Sequence, residues 1–120
     1  MYAIAVPILR NKVDAWKAWM RECTGSRIDE FEAFNERMGL TLHQAWLTEG
    51  REGPLVIVVY DGSGAETFIE KLERSKEPFD KWFRERVSEY HGMDFSKLVS
   101  MPKSVQYCNW QAPHYAGAQR

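Results

Sequence analysis

Two short apolar runs constrain this chain more than anything else in it. Residues 2–9 and 55–60 are apolar at both parities: Tyr2, Ile4, Val6 and Ile8 alternate with Ala3, Ala5 and Leu9, and Val56 and Val58 alternate with Leu55, Ile57 and Val59. Alternate strand residues point to opposite faces, so each run reads as a central strand with an apolar side chain on either side. Gly53-Pro54 and Asp61-Gly62 bound the second run as turn residues do. Pro7 supplies no ladder donor and is expected at a strand end or a bulge. Residues 41–48 and 104–110 mix polar with apolar positions, which suits two edge strands.

Between these runs lie four amphipathic pieces in two consecutive pairs. Val13, Trp16, Met20 and Cys23 share one stripe, and Ile28, Phe31, Phe34 and Met38 the next. Ala65, Phe68, Ile69 and Leu72 form the third, and Phe79, Trp82, Phe83, Val87 and Tyr90 the last. Asn11 with Asp14, Ser26 with Asp29, and Ser63 with Glu66 stand at capping-box spacing, and Pro78 suits a first helical position. A straight helix from Lys12 to Met38 would run about 40 Å at 1.5 Å per residue, against about 23 Å for a seven-residue strand. Each long helix must therefore bend, at Thr24-Gly25-Ser26 and at Ser75-Lys76-Glu77-Pro78. The order becomes βαββαβ, an α+β ferredoxin-like plan with bent helices on one face of a four-stranded antiparallel sheet. The other face would be a bare apolar patch of the kind monomers seldom tolerate, so a homodimer packed sheet to sheet is expected.

At 120 residues the chain fits one domain, assigned to 1–110, with 111–120 as a flexible tail or an arm over a partner. Sixteen Lys and Arg against 17 Asp and Glu give a net charge of −1, which argues against nucleic acid or an anionic membrane as partner. Over residues 10–40 basic and acidic side chains interleave as on solvated helix faces. The apolar start meets Arg10 too early for a signal peptide or a span, and a cytoplasmic location follows. Cys23 and Cys108 form no CxxC pair and are expected as free, half-buried thiols. Five Trp, five Tyr and six Phe are a large aromatic load for a domain of this size.

Lys12-Val13-Asp14-Ala15-Trp16, the Gly25-Ser26-Arg27 break, Gln44-Ala45-Trp46-Leu47, Val58-Val59-Tyr60 and Pro78-Phe79-Asp80-Lys81-Trp82-Phe83 followed by His91-Gly92-Met93-Asp94 carry a family likeness. Over roughly residues 2–98 the chain resembles the dimeric α+β barrel superfamily, which includes antibiotic-biosynthesis monooxygenase-like proteins. More narrowly it is similar to a group of small bacterial proteins in it. The resemblance implies a cavity between the sheet and the helices of each protomer.

Several residues are candidates for that cavity. Trp82, Arg86 and Tyr90 share a helix face, and an inward Arg86 needs a carboxylate or an anionic ligand. Arg27 sits beside the first helix break, where freed N–H groups could hold a carboxylate or take a cap from Ser26. His43 and Trp46 occupy opposite faces of their strand, and His43 is the natural general base if substrate reaches it. His91 stands at a helix C-terminus before Gly92, with a pocket role open to it. Tyr60 ends a buried strand and its phenol needs a partner or water. The expected substrate-binding set is thus Arg27, Trp46, Tyr60, Trp82 and Arg86, with His43 and His91 as catalytic candidates.

No metal site is expected, because His43, His91 and His114 are dispersed and Glu32/Glu36 and Glu85/Glu89 lack His partners. No cofactor motif is present, and haem is disfavoured by the lack of a His within either long helical region. The leading expectation is a homodimer that binds an aromatic or otherwise apolar organic molecule, with an anionic group as an option and cofactor-free, monooxygenase-like chemistry as its enzymatic form. The alternative is a non-enzymatic ligand sensor or protein-interaction module. An RRM-like RNA binder shares the topology but would need an RNP1-like segment and a basic field.

Overall fold

The register of three strands organises the molecule. In the computed structural model, which describes residues 1–113, β1 (Tyr2–Pro7) and β2 (Leu42–Gly50) flank β3 (Gly53–Asp61) in an antiparallel sheet of order β1-β3-β2. Ile4 pairs with Val58, which pairs with Ala45; Tyr2, Tyr60 and His43 form the next rung, and Val6, Val56 and Leu47 the one on the other side. Side chains of these three rungs face the helices. Pro7 is the last residue of β1, where its missing N–H breaks no ladder.

Five helices lie on that face: α1 (Val13–Cys23), α2 (Ile28–Arg37), α3 (Phe68–Arg74), α4 (Pro78–His91) and α5 (Phe95–Ser100). Both expected bends are present. At the first, the backbone N–H groups of Thr24, Gly25 and Arg27 are taken by the carbonyls of Met20 and Glu22, and that of Ile28 by the carbonyl of Gly25. None of the three capping boxes forms: the N-caps are Lys12, Arg27 and Gly64, each one residue after the expected cap, and none makes a side-chain cap bond. Pro78 does open α4, and Gly92 closes it at φ 66°, the left-handed turn that suits glycine.

The core gathers Trp16, Trp19, Phe34, Val56, Phe68, Leu72, Phe83 and Phe95 between the layers. Cys23 is fully buried and Cys108 is exposed, so neither is half-buried as expected. Burial pushes the Cys23 thiol up to about 12, where it stays protonated.

The expected fourth strand is not formed in the chain. His91 Nδ1 donates to the Pro7 carbonyl at 2.7 Å, which fixes the end of α4 beside the end of β1, the place where an antiparallel neighbour of β1 would begin. The short helix α5 takes this stretch instead, capped by Asp94, whose Oδ1 accepts from Ser96 N, with Phe95 and Leu98 buried. It delivers the chain to the opposite end of β1, where residues 101–104 lie against Tyr2, Ala3 and Ile4. Lys103 is tied there to the Glu66 carbonyl at 2.9 Å. A strand that starts from that end and runs along β1 would be parallel to it. Residues 104–110 accordingly run free of the sheet, with Val105, Tyr107 and Trp110 exposed. Of the tail expected over 111–120, residues 114–120, including His114, lie outside the described residues. No helix among the described residues is long and apolar enough to cross a membrane.

Candidate functional site

The middle rung of the sheet is the least covered by the helices. Val56 and Tyr60, the helix-facing residues of β3 on either side of Val58, are buried, whereas Ile4 and Val58 are only half-buried and Ala45 is exposed although it faces the helices. The result is a cleft of about 70 Å³ whose floor is Ile4, Val58 and Ala45. Trp16, Trp19 and Met20 of α1 and Phe83 and Val87 of α4 form its roof. The small side chain of Ala45 on the edge strand marks its mouth. No Asp, Glu, Lys or Arg lines it.

Three candidate residues line this cleft: His43 and Tyr60 toward the Tyr2 end of β1 and His91 toward its Pro7 end. The His43 ring stands among Phe31, Phe34, Phe68 and Phe83, with centroids 5.4–6.4 Å away. Its Nδ1 lies 2.8 Å from Asn35 Oδ1; a carbonyl oxygen only accepts, so Nδ1 carries the proton and Nε2 keeps its lone pair. Burial pushes His43 down to about 4, so the ring is neutral near pH 7. His91 is arranged the same way: Nδ1–H goes to the Pro7 carbonyl, leaving Nε2 unprotonated, and burial lowers its pKa against the weaker opposing pull of that bond. Tyr60 stacks on Tyr2 at 5.7 Å and meets Phe68 edge-on, and burial raises its phenol above the ordinary tyrosine value.

The other candidates stand elsewhere. Trp46 is on the opposite face of the sheet, paired with Ile57 and 59% exposed. Arg27 lies outside the cleft, its guanidinium 3.9 Å above the Trp82 ring and bonded to both Glu30 oxygens at 2.8 and 3.0 Å. Arg86 Nε lies 3.1 Å from Glu89 Oε1 on the same helix, an ion pair without a formed hydrogen bond, so this buried Nε–H has no hydrogen-bond partner among the described residues. Trp82 packs edge-on to Trp19 behind the roof. With both arginines engaged by neighbouring carboxylates and outside the cleft, nothing in it offers a positive charge to an anionic group.

Trp19, Asn35 and Ala45 shape the site without standing among the candidates. Trp19 is 4% exposed and its indole N–H is buried with no partner. Its signal was the Trp16–Trp19 spacing of three on a helix stripe. Asn35 reaches His43 only because the α2–β2 turn folds the chain back, which no local pattern announces. No group of three His, Cys, Asp or Glu among the described residues is placed to hold a metal. Comparison with protein-family models, curated proteins and solved structures finds no match to this chain.

Proposed function

We propose that this protein is a small-molecule-binding module that takes an uncharged, largely apolar molecule, aromatic ones included, into the cleft between sheet and helices, and that it works as a homodimer. The observation that carries the reading is the incompletely covered rung Ile4–Val58–Ala45 beneath an aromatic roof, in a wall without a charged side chain. Apolar concavities with a few polar groups are where small ligands bind. A volume of about 70 Å³ is roughly half that of a cavity known to admit benzene, so a ring must displace flexible wall side chains such as Met20.

Binding without catalysis is the better supported form. A general base works best with a pKa near the working pH, and His43, at about 4, is a good hydrogen-bond acceptor but a weak base. The cofactor-free monooxygenase-like form remains the second reading, favoured by the free Nε2 on the wall. There, His43 would take a proton from an activated CH2 group and the carbanion would reduce dioxygen, giving a carbonyl and one water.

Titration with benzene, toluene and indole, followed by protein NMR, tests the reading. Shifts centred on Val58, His43 and Phe83 are expected, and Ala45→Leu should abolish them by filling the mouth while the fold persists. Absence of saturable shifts at millimolar probe, or unchanged binding by a folded Ala45→Leu, would overturn it. For the second reading, oxygen uptake with an aromatic ketone that carries an activated ring CH2, such as anthrone, and no added cofactor is the measurement; none is expected.

A further inference from the structure

The cleft has a hydrogen-bonding character that its apolar lining hides. Among its lining residues Trp19 holds the one buried side-chain polar group without a partner, its indole N–H. Burying such a donor unpaired is costly, and a native structure normally supplies it an acceptor. His43 presents the reverse: with Nδ1–H committed to Asn35, its Nε2 can only accept. Both rings stand against the same residue, Phe83, at centroid distances of 4.8 and 6.1 Å. The side of the cleft around Phe83 therefore offers an unfilled donor and an unfilled acceptor, both neutral, while a second acceptor, His91 Nε2, belongs to the end of the cleft beside Pro7.

We propose that the cleft selects a hydroxyl-bearing apolar compound of the phenol type, whose oxygen accepts from Trp19 Nε1–H and whose proton goes to His43 Nε2. The inference rests on the reading of the cleft as a ligand site. A hydroxyl is the simple uncharged group that accepts and donates through one oxygen. A carboxylate or an ammonium would enter a wall with no countercharge, where an unpaired ion is strongly disfavoured. A plain hydrocarbon would enter but would leave the Trp19 N–H unsatisfied.

Phenol, toluene and benzoate, similar in shape and differing in the polar group, are titrated calorimetrically into the wild-type protein and into Trp19→Phe and His43→Phe. The wild type should bind phenol about tenfold more tightly than toluene, the size of one hydrogen bond to an otherwise unpaired buried group, and should not bind benzoate. Trp19→Phe should bring phenol and toluene to within about twofold of each other while toluene affinity is kept, which shows that the cleft survived the substitution; His43→Phe should act in the same direction. Equal binding of phenol and toluene by the wild type, or a preference that survives in Trp19→Phe, overturns the inference and leaves the binding site itself standing. Binding of none of the three by the wild type removes both.

Discussion

Asp80 is the one charged side chain that is fully buried among the described residues, at 1% exposure. It accepts from Arg37 Nη2 at 2.5 Å and from Ser75 Oγ at 2.6 Å, joining the end of α2, the α3–α4 turn and the first turn of α4. Its place in the sequence explains only the last of these, as a carboxylate near a helix N-terminus. Removing a buried pair partner typically costs about 3–5 kcal/mol; Arg37 is partly solvated and can regain water, so Asp80→Ala should lose about 2–3 kcal/mol in urea denaturation. His43 sets a second expectation, in pH. The unfolded ring titrates near 6.5 and the folded one near 4, so between these values the unfolded chain binds the extra proton. Stability should be full above about pH 6.5 and fall as pH drops toward 4, by on the order of 2–3 kcal/mol. His91, shifted the same way, adds to the slope. His43→Gln should flatten the decline, and an unchanged decline in that variant would contradict the assignment.

At the scale of elements, the strands and the helix bends were legible because periodicity and length are local. The apolar strand runs, the Pro7 terminus and the Pro78 and Gly92 helix ends follow from side-chain shape alone, whereas the central place expected for the first run does not hold, since β1 lies at the sheet edge. The helix α5 was missed although Asp94 before Phe95 and Leu98 is an N-cap signal; a strand had been expected further on, and only α5 moves the chain to the wrong end of β1 for it. Equally illegible was the junction where the α2–β2 and β3–α3 turns cross. There Gly64 N donates to the Gly39 carbonyl at 2.9 Å, and Thr41 N to that of Asp61. Gly62 sits at φ 135°, and a Cβ on it would collide with the Gly39 carbonyl oxygen. Gly62→Ala should therefore destabilise by more than about 3 kcal/mol, since both strain and a backbone clash apply. Gly50, with open space where its Cβ would be, should tolerate alanine within about 0.5 kcal/mol. Thermal unfolding of the two variants side by side makes the comparison.

At the scale of the molecule, β1 and β3 carry apolar side chains on both faces while helices cover one; β3 alone is central, and β1, expected to be central too, is left an edge because no fourth strand pairs with it. The bare face holds Ala3, Ala5, Trp46, Leu55, Ile57 and Val59 with Gln44 and Thr48, and its one charged side chain, Asp61, lies at the end rung, paired with the Met1 amine at 3.1 Å. Three strands at about 4.8 Å spacing and about 20 Å of length present a footprint of only about 300 Å². A stable interface takes about 800 Å² from each partner, so the face alone is too small to hold a dimer. The free arm has what is missing: Val105, Tyr107 and Trp110 are 69%, 96% and 78% exposed, and a buried aromatic contributes about 150–250 Å². In the homodimer proposed above, each sheet would meet its equivalent and each arm would cross to the other protomer. Light scattering should then give about 28 kDa, twice the 14.0 kDa of one chain. Ile57→Glu, which puts a charge in the middle of the face, should give monomers. Loss of residues 104–120 should weaken the dimer without unfolding the protomer, because the core lies within residues 6–98. A 14.0 kDa particle at hundred-micromolar concentration would rule the dimer out, and a truncated chain that dimerises as tightly as the whole would remove the arm from it. The cleft opens at Ala45 on the helix side of the sheet, opposite Trp46 and Ile57. Monomeric Ile57→Glu should therefore still bind phenol, which separates the fate of the dimer from that of the binding site.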